Sequence, residues 1–332
     1  MKKIRNIALV GLLMLVAILV GCSDQNAQAD DPDGGDIPSH VSIVGASSGG
    51  TFFLVANGMA QLFNDEMSSG QYSAQSTAGT PAIYKALDSN DGDIGFGQSS
   101  MAYDAINGEG QFEGNEITNM LGMTYMYPNA MHLVVSKSSG IKTPEDIQGK
   151  RIGVGEPGGG VEVDSTRLLE ALGIDMSEDI SAEYVTGGQA TDMMRNNQLD
   201  GAIMPGGIGA SNIVDILSTG EYELVPFSAE LVDKVMEVNP AYFPLEIPAN
   251  TYPNQTESID IYAEANWLFA RADLSEDFVY EMLTVLYDNQ DYMITVHNSS
   301  ENMTLENSQN GSMIPLHPGA IKFFLDNGVD ID

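Results

Sequence analysis

Residues 41–67 read VSIVGASSGGTFFLVANGMAQLFNDEM. Val41 to Val44 is a strand-like apolar run. Gly45 to Gly50 is a turn of glycine, alanine and serine. Thr51 to Met67 then repeats apolar residues at helical spacing, with Leu54, Val55, Met59, Leu62 and Phe63 on one stripe. Strand, glycine-rich turn and helix in that order form the repeating unit of an α/β sheet. In such sheets ligands sit beyond the carboxyl ends of the strands, at helix N-termini.

The alternation continues outward from this unit. Tyr72–Ser76 reads as a strand, and Gly79-Thr80-Pro81 opens a helix through Leu87. Asp93–Phe96 and Met131–Val135 follow as strands. Thr143-Pro144-Glu145-Asp146 predicts a helix start, with a hydroxyl cap, proline at the first position and acids in the first turn, ended by Gly149. Arg151–Val154 returns as a strand. Gly158-Gly159-Gly160 leads into a helix from Val161, whose apolar face is Val161, Leu168, Leu169 and Leu172 and which Gly173 stops. Further strands are expected at Ala182–Val185, Ala202–Met204, Glu223–Phe227 and Ile261–Ala270, and a helix at Ser275–Asn289. Mainly parallel α/β sheets follow. Glycine-rich turns early and mid-chain indicate two similar lobes, with Pro128 as a hinge crossing and a second crossing in the strand at Ile261–Ala270.

The chain has 332 residues, about two domains at ~150 residues each, and 43% are hydrophobic. Lys+Arg number 13 against 47 Asp+Glu, a formal net charge of −34. That balance excludes general nucleic-acid binding, which needs cations to neutralise phosphates, and argues against docking on anionic lipid. The single cysteine excludes an internal disulfide and a thiolate metal cluster.

Residues 1–21 read as a signal segment. Lys2, Lys3 and Arg5 precede the apolar run Ile7–Val20, 14 residues, where a span needs about 20. Leu19-Val20-Gly21-Cys22 resembles a bacterial lipobox, so Cys22 is expected to carry lipid and to anchor an extracytoplasmic protein. An ordinary signal peptide or an anchor helix are the alternatives. Residues 22–38, polar and acidic with almost nothing to bury, read as a disordered tether. Loss of residues 1–21 leaves 311 residues at −37. So much negative charge fits a surface adapted to high external salt, where a Debye length of ~3 Å at 1 M screens self-repulsion; solubility alone is the plainer explanation.

Three turns offer backbone N–H groups at helix starts: Gly45-Ala46-Ser47-Ser48-Gly49-Gly50-Thr51, Ser76-Thr77-Ala78-Gly79-Thr80 and Pro157-Gly158-Gly159-Gly160. Aligned amides there favour a carboxylate. No phosphate-loop lysine is present, and Ser47 stands where a dinucleotide fingerprint needs its middle glycine, so no nucleotide cofactor is expected. His40, His132, His297 and His317 are scattered without metal-ligand spacing and read as capping or surface residues. Gly95-Phe96-Gly97-Gln98-Ser99 is no nucleophile elbow. Catalytic residues, a metal and a cofactor are therefore not expected. Arg167 and Arg195, on expected helices, read as surface residues.

An ordered series of motifs resembles the TAXI class of solute-binding proteins of tripartite ATP-independent periplasmic (TRAP) transporters. Gly45 to Gly58 (GASSGGTFFLVANG) resembles the family's G-x-G-x-x-G-T-Y-Y-x-x-G opening, and Ser76-Thr77-Ala78-Gly79 its S-T-G-G. Ala102-Tyr103-Asp104-Ala105, Tyr127-Pro128, Pro157-Gly158-Gly159-Gly160-Val161-Glu162, Asn250-Thr251-Tyr252-Pro253, Arg271-Ala272-Asp273-Leu274 and Ile314 to Ala320 follow in order, so the likeness runs from about Val41 to Phe324. The resemblance implies an α/β, two-lobed periplasmic-binding-protein-like fold of type II. Lobe I would be residues 39–127 plus about 270–332, and lobe II residues 128–269. It implies a monomer that captures an amino acid or a glutamate-like dicarboxylate and hands it to a membrane permease. An ABC importer or a sensor kinase as the recipient, or an enzyme on the same fold, are the alternatives.

The ligand set expected by position is Gly45, Ser47, Ser48, Gly50, Thr51 and Phe52 from the first lobe, with Thr77, Gly79 and Gln98 beside them. Tyr127 sits at the hinge, Gly158, Gly159, Gly160 and Val161 approach from the second lobe, and Met204 and Pro205 form a wall. Core packing is an equal reading for Tyr127 and the stronger one for Met204. The family's Tyr-Tyr pair is Phe52-Phe53 here, and Gly159 and Val161 replace hydroxyl residues, which points to a less polar pocket.

Overall fold

A computed structural model describes residues 38–46 and 50–331. The leader, Cys22, most of the tether, Ser47 and Ser48 lie outside the described residues. The first half of the chain builds β1 (Val41–Gly45), α1 (Thr51–Glu66), β2 (Tyr72–Ser76), α2 (Thr80–Asp88), β3 (Ile94–Gln98), α3 (Ser99–Asn107) and the 16-residue β4 (Leu121–Ser136). There follow β5 (Arg151–Gly153), α4 (Gly160–Leu172), β6 (Ser181–Glu183), α5 (Gly187–Arg195), β7 (Gly201–Gly206), α6 (Ser211–Ser218), β8 (Tyr222–Leu224), α7 (Ala229–Val238) and β9 (Phe243–Ile247). The chain closes with β10 (Ile259–Ala270), α8 (Glu276–Asp288), α9 (Gln290–Val296) and α10 (Pro318–Asp326).

The described strands join in one ten-stranded mixed sheet, ordered β2-β1-β3-β10-β4-β7-β5-β6, with β8 on β4 and β9 on β10. β2, β1 and β3 are parallel, as are β6, β5 and β7, and the antiparallel pair β10–β4 lies between the two triplets. Each triplet is the strand-turn-helix repeat that the alternation predicts.

Two sets of apolar side chains divide this sheet. Residues between Ala130 and Tyr262 form one core, including Leu133, Val135, Ile152, Leu168, Ile203 and Val235. Residues from both ends of the chain form the rest, where Ile43, Met59 and Phe63 pack with Leu268, Val279 and Phe324, and Tyr84 and Phe112 with Trp267 and Phe269. Each Leu, Ile or Phe so buried stabilises the fold by roughly 1.5–3 kcal/mol. β4 and β10 belong to both sets, so the chain crosses between the halves on these two strands. Their ladder shifts register between Asn266 and Trp267 and again between Leu268 and Phe269. Such bulges re-aim side chains next to sites.

Several expectations need correction. The strand at Met131–Val135 is the distal third of β4, and Pro128 lies inside that strand opposite Ala265. Proline is tolerated because β4 changes partner there: Leu121–Ala130 pairs with β10, and pairing to β7 begins only at Ala130. The helix expected after Thr143 is a single 3-10 turn, Pro144–Ile147, closed by the Thr143–Asp146 capping box. The strand at Glu223–Phe227 is shorter and earlier, Tyr222–Leu224. His132 neither caps a helix nor reaches the surface: it is buried, with Nδ1 3.2 Å from the Met204 carbonyl and Nε2 2.8 Å from the Tyr252 hydroxyl.

Candidate functional site

The carboxyl end of β1 runs through Ala46 toward Gly50, the N-cap of α1. The end of β2 leads through Thr77 to Gly79, the N-cap of α2. Gly79 adopts φ +123°, a conformation that favours glycine. From the other half, Gly159 caps α4. No side chain caps these three helices, so their first amides stay available.

The α2 and α4 turns face each other across the halves. A Cβ on Gly79 would lie 3.7 Å from the Gly160 nitrogen, and one on Gly159 would lie 3.5 Å from the Ala78 carbonyl. Between them lies a cavity of about 200 Å³, smaller than the ~300–1,000 Å³ common for drug-sized ligands. Its donor wall is Gly50, Thr51, Gly79, Thr80, Gly159 and Gly160, and Phe52, Val161 and Pro205 supply apolar surface. Its polar floor is Gln98, Tyr127, Asn129 and Asn266. A second cavity of about 540 Å³ shares Gly50, Thr51, Val161, Pro205 and Gly206, and extends past Met204 to Gly187 and Ser211, where α5 and α6 begin. No Lys, Arg or His lines either cavity among the described residues; Glu156 is the one charged group.

Of the positions expected from sequence, Gly50, Thr51, Phe52, Gly79, Gln98, Tyr127, Gly159, Gly160, Val161 and Pro205 line the first cavity, and Met204 and Pro205 the second. Three expected residues stand back from both. Gly45 lies where a side chain would meet the Phe53 backbone at 2.8 Å. Thr77 ties the two turns together, its hydroxyl donating to the Gly45 carbonyl at 2.9 Å and accepting from the Gly79 amide at 3.2 Å. The Gly158 amide donates to the Glu162 carboxylate.

Sequence reasoning named Gln98 and Tyr127 but passed over Asn129, Asn266 and the acids beneath them. Gln98 Nε2 donates to Asp164 Oδ2 at 2.5 Å and to Glu264 Oε1 at 2.8 Å, and its Oε1 accepts from the Thr80 hydroxyl at 3.0 Å. Asn129 Nδ2 reaches Glu264 Oε1 at 3.3 Å, and the Ser100 amide donates to Glu264 Oε2 at 3.1 Å. The Tyr242 hydroxyl donates to Asp164 Oδ1 at 3.0 Å. Burial, and then the Glu264 charge beside it, push the Asp164 carboxyl well above the usual carboxylate range. Arg167 is not a surface residue: it pairs with Asp104 and donates to the Ser100 hydroxyl at 2.7 Å, joining α4 to α3 across the halves. Arg195 is partly exposed and pairs with Asp215 at 2.6 Å. One signal was available in the sequence. Glu264 and Asn266 are polar residues two apart in the otherwise apolar run 261–270 of β10, hence on one face of it.

Two halves of one α/β sheet that meet over a cleft rich in helix N-termini define the two-lobed fold of the periplasmic-binding-protein type. A family model described as the NMT1-like family matches residues 43–328, and the chain belongs to that family. In structure it is similar to MatC from Rhodopseudomonas palustris with bound malate, at a TM-score of 0.52 and 14% identity over 80% of this chain and 92% of that one. It is likewise similar to a protein from Bordetella bronchiseptica RB50, at 0.52 and 16% over 89% and 91%. The periplasmic aliphatic sulphonate binding protein SsuA from Escherichia coli matches at 0.50 and 16% over 87% and 79%. At these identities the three establish the type II binding-protein fold. No helix among the described residues is long and apolar enough to cross a membrane.

Proposed function

We propose that the chain is an extracytoplasmic substrate-binding lipoprotein, anchored through Cys22, that captures a small organic anion or amino acid of the glutamate or dicarboxylate type and delivers it to a TRAP permease. The observation that carries the binding role is the convergence of the α1, α2 and α4 N-termini, from both halves, on one small cavity without a cation. Amides at helix starts hold a carboxylate by direct hydrogen bonds and by the helix dipole. The ordered motif series supports the TRAP assignment. Delivery to an ABC importer is a second reading, and membership in the NMT1-like family favours it.

A thermal-shift screen of residues 23–332 in molar NaCl against amino acids, dicarboxylates, 2-oxo acids and neutral sugars tests the binding role. A ligand at about 100 times its dissociation constant adds ~2.7 kcal/mol and visibly raises Tm. An acid in the panel is expected to do so; a response to sugars alone would sink the anion reading. Uptake of the bound solute by vesicles carrying the cognate permease then separates the two recipients. An ion gradient is expected to suffice without ATP, and an absolute ATP requirement would move the protein to the ABC class.

A further inference from the structure

The cleft has one wall of donors and a floor of acceptors, and the floor is built by two buried acids that never touch the cavity. Asp164 and Glu264 are fully buried and take both protons of the Gln98 amide between them. Turning that amide over would set Oε1 against the Glu264 carboxylate, whose oxygens already accept from Asn129 and Ser100, so its orientation is fixed. Oε1 therefore lies on the cavity side, where Thr80 uses one of its two lone pairs. Asn129, held by Glu264 through Nδ2, likewise keeps its carbonyl oxygen for the cavity. Two further atoms at this floor have no partner at all, although their residues are only 1% exposed: Asn266 Oδ1 and the Tyr127 hydroxyl. Buried polar atoms without partners are costly, and both side chains line the cavity.

We propose that Gln98, Asn129, Asn266 and Tyr127 form an acceptor subsite for a hydrogen-bond donor on the solute, set beside the amides that receive its anionic group. The solute is then an organic acid bearing an ammonium or hydroxyl group close to its carboxylate. Gln98 and Asn266 set this specificity, and Asp164 and Glu264 are positioning residues. A 2-oxo acid of the same skeleton presents an acceptor to acceptors and is rejected, because sites built for a donor strongly penalise analogues that lack it. The inference rests on the anion-binding reading of the same cleft.

The test is calorimetric titration of the mature chain with two series on fixed skeletons: L-glutamate, L-leucine and, for each, the corresponding 2-hydroxy, 2-oxo and 2-unsubstituted acids. Within the skeleton that binds, the 2-amino or 2-hydroxy acid is expected to bind at least tenfold more tightly than the 2-oxo acid. In Asn266→Leu that ratio is expected to fall below threefold, and in Asn266→Asp the amino acid is expected to gain over the hydroxy acid; circular dichroism checks that both variants fold. Equal or tighter binding of the 2-oxo acid overturns the acceptor subsite and leaves the anion site standing. An unchanged ratio in two folded variants overturns the role of Asn266 and with it the subsite. Binding by none of the eight acids overturns the anion reading and this inference together.

Discussion

Gly160 stands where any side chain would run into the opposite half. A Cβ there would lie 2.2 Å from Gln98 Oε1, and Gln98 cannot retreat because two buried carboxyl groups hold its amide. Gly160→Ala is therefore expected to lower stability by about 1–3 kcal/mol, the usual cost of overpacking, and to weaken solute binding at least tenfold. Gly188→Ala is the control, since its added carbon would find only the Thr186 hydroxyl, at 3.9 Å. Urea melts of the two variants check the difference; equal melts would mean that the cleft floor yields. At this scale the glycines were legible and their partners were not. A run such as Pro157–Gly160 announces a close approach of backbone, but what approaches depends on a contact with β3, far away in the chain. Gly158 belongs to the same run and turns its amide to Glu162 instead.

At the scale of elements, β4 and β10 show what periodicity can and cannot reveal. β10 was readable because Ile261–Ala270 is nearly unbroken in apolar residues. β4 was read as a third of its length, because Pro128 looks like a break to any rule that assumes both edges of a strand are paired. His132, on the part of β4 that pairs with β7, carries a further consequence. Burial holds its ring down at about 4 against an ordinary 6.5, with the Met204 carbonyl pulling weakly the other way. The folded state therefore keeps the ring neutral, while the unfolded chain takes up a proton below pH 6.5. Stability from this residue is complete above pH 6.5 and is lost as pH falls toward 4, by about 3 kcal/mol in all. His132→Gln is expected to flatten this acid limb, measured as urea stability between pH 7 and 4.5. Parallel loss in parent and variant would mean that the ring is not held neutral.

For the whole molecule, a formal net charge of −34 predicts strong dependence on salt. Between 0.1 and 2 M NaCl the Debye length falls from ~10 Å to below ~3 Å, and Tm is expected to rise by about 5 °C or more. A flat profile by differential scanning calorimetry would leave the acidity to solubility alone. The α/β class was legible, and so were β1 to β3 with α1 and α2; α3, α6, α7, β9, α9 and α10 were not, and the sheet is mixed where mainly parallel pairing was expected. The network joining the halves was not legible, because Asp164 and Arg167 look in sequence like any of the many charges on solvated faces, and no sequence spacing pairs them with Glu264. The two cores also differ in how the chain reaches them. One draws on a single uninterrupted stretch, residues 130–262; the other needs β1 to β3 from the beginning and β10, α8 and α10 from the end. A chain that emerges N-terminus first can thus finish the inner core while the outer one still lacks its central strand and two covering helices. The binding cleft, which needs Asn266 for its floor, comes into existence only once the rest of β10 has followed the inner core, so a chain that has emerged no further than residue 262 cannot trap solute.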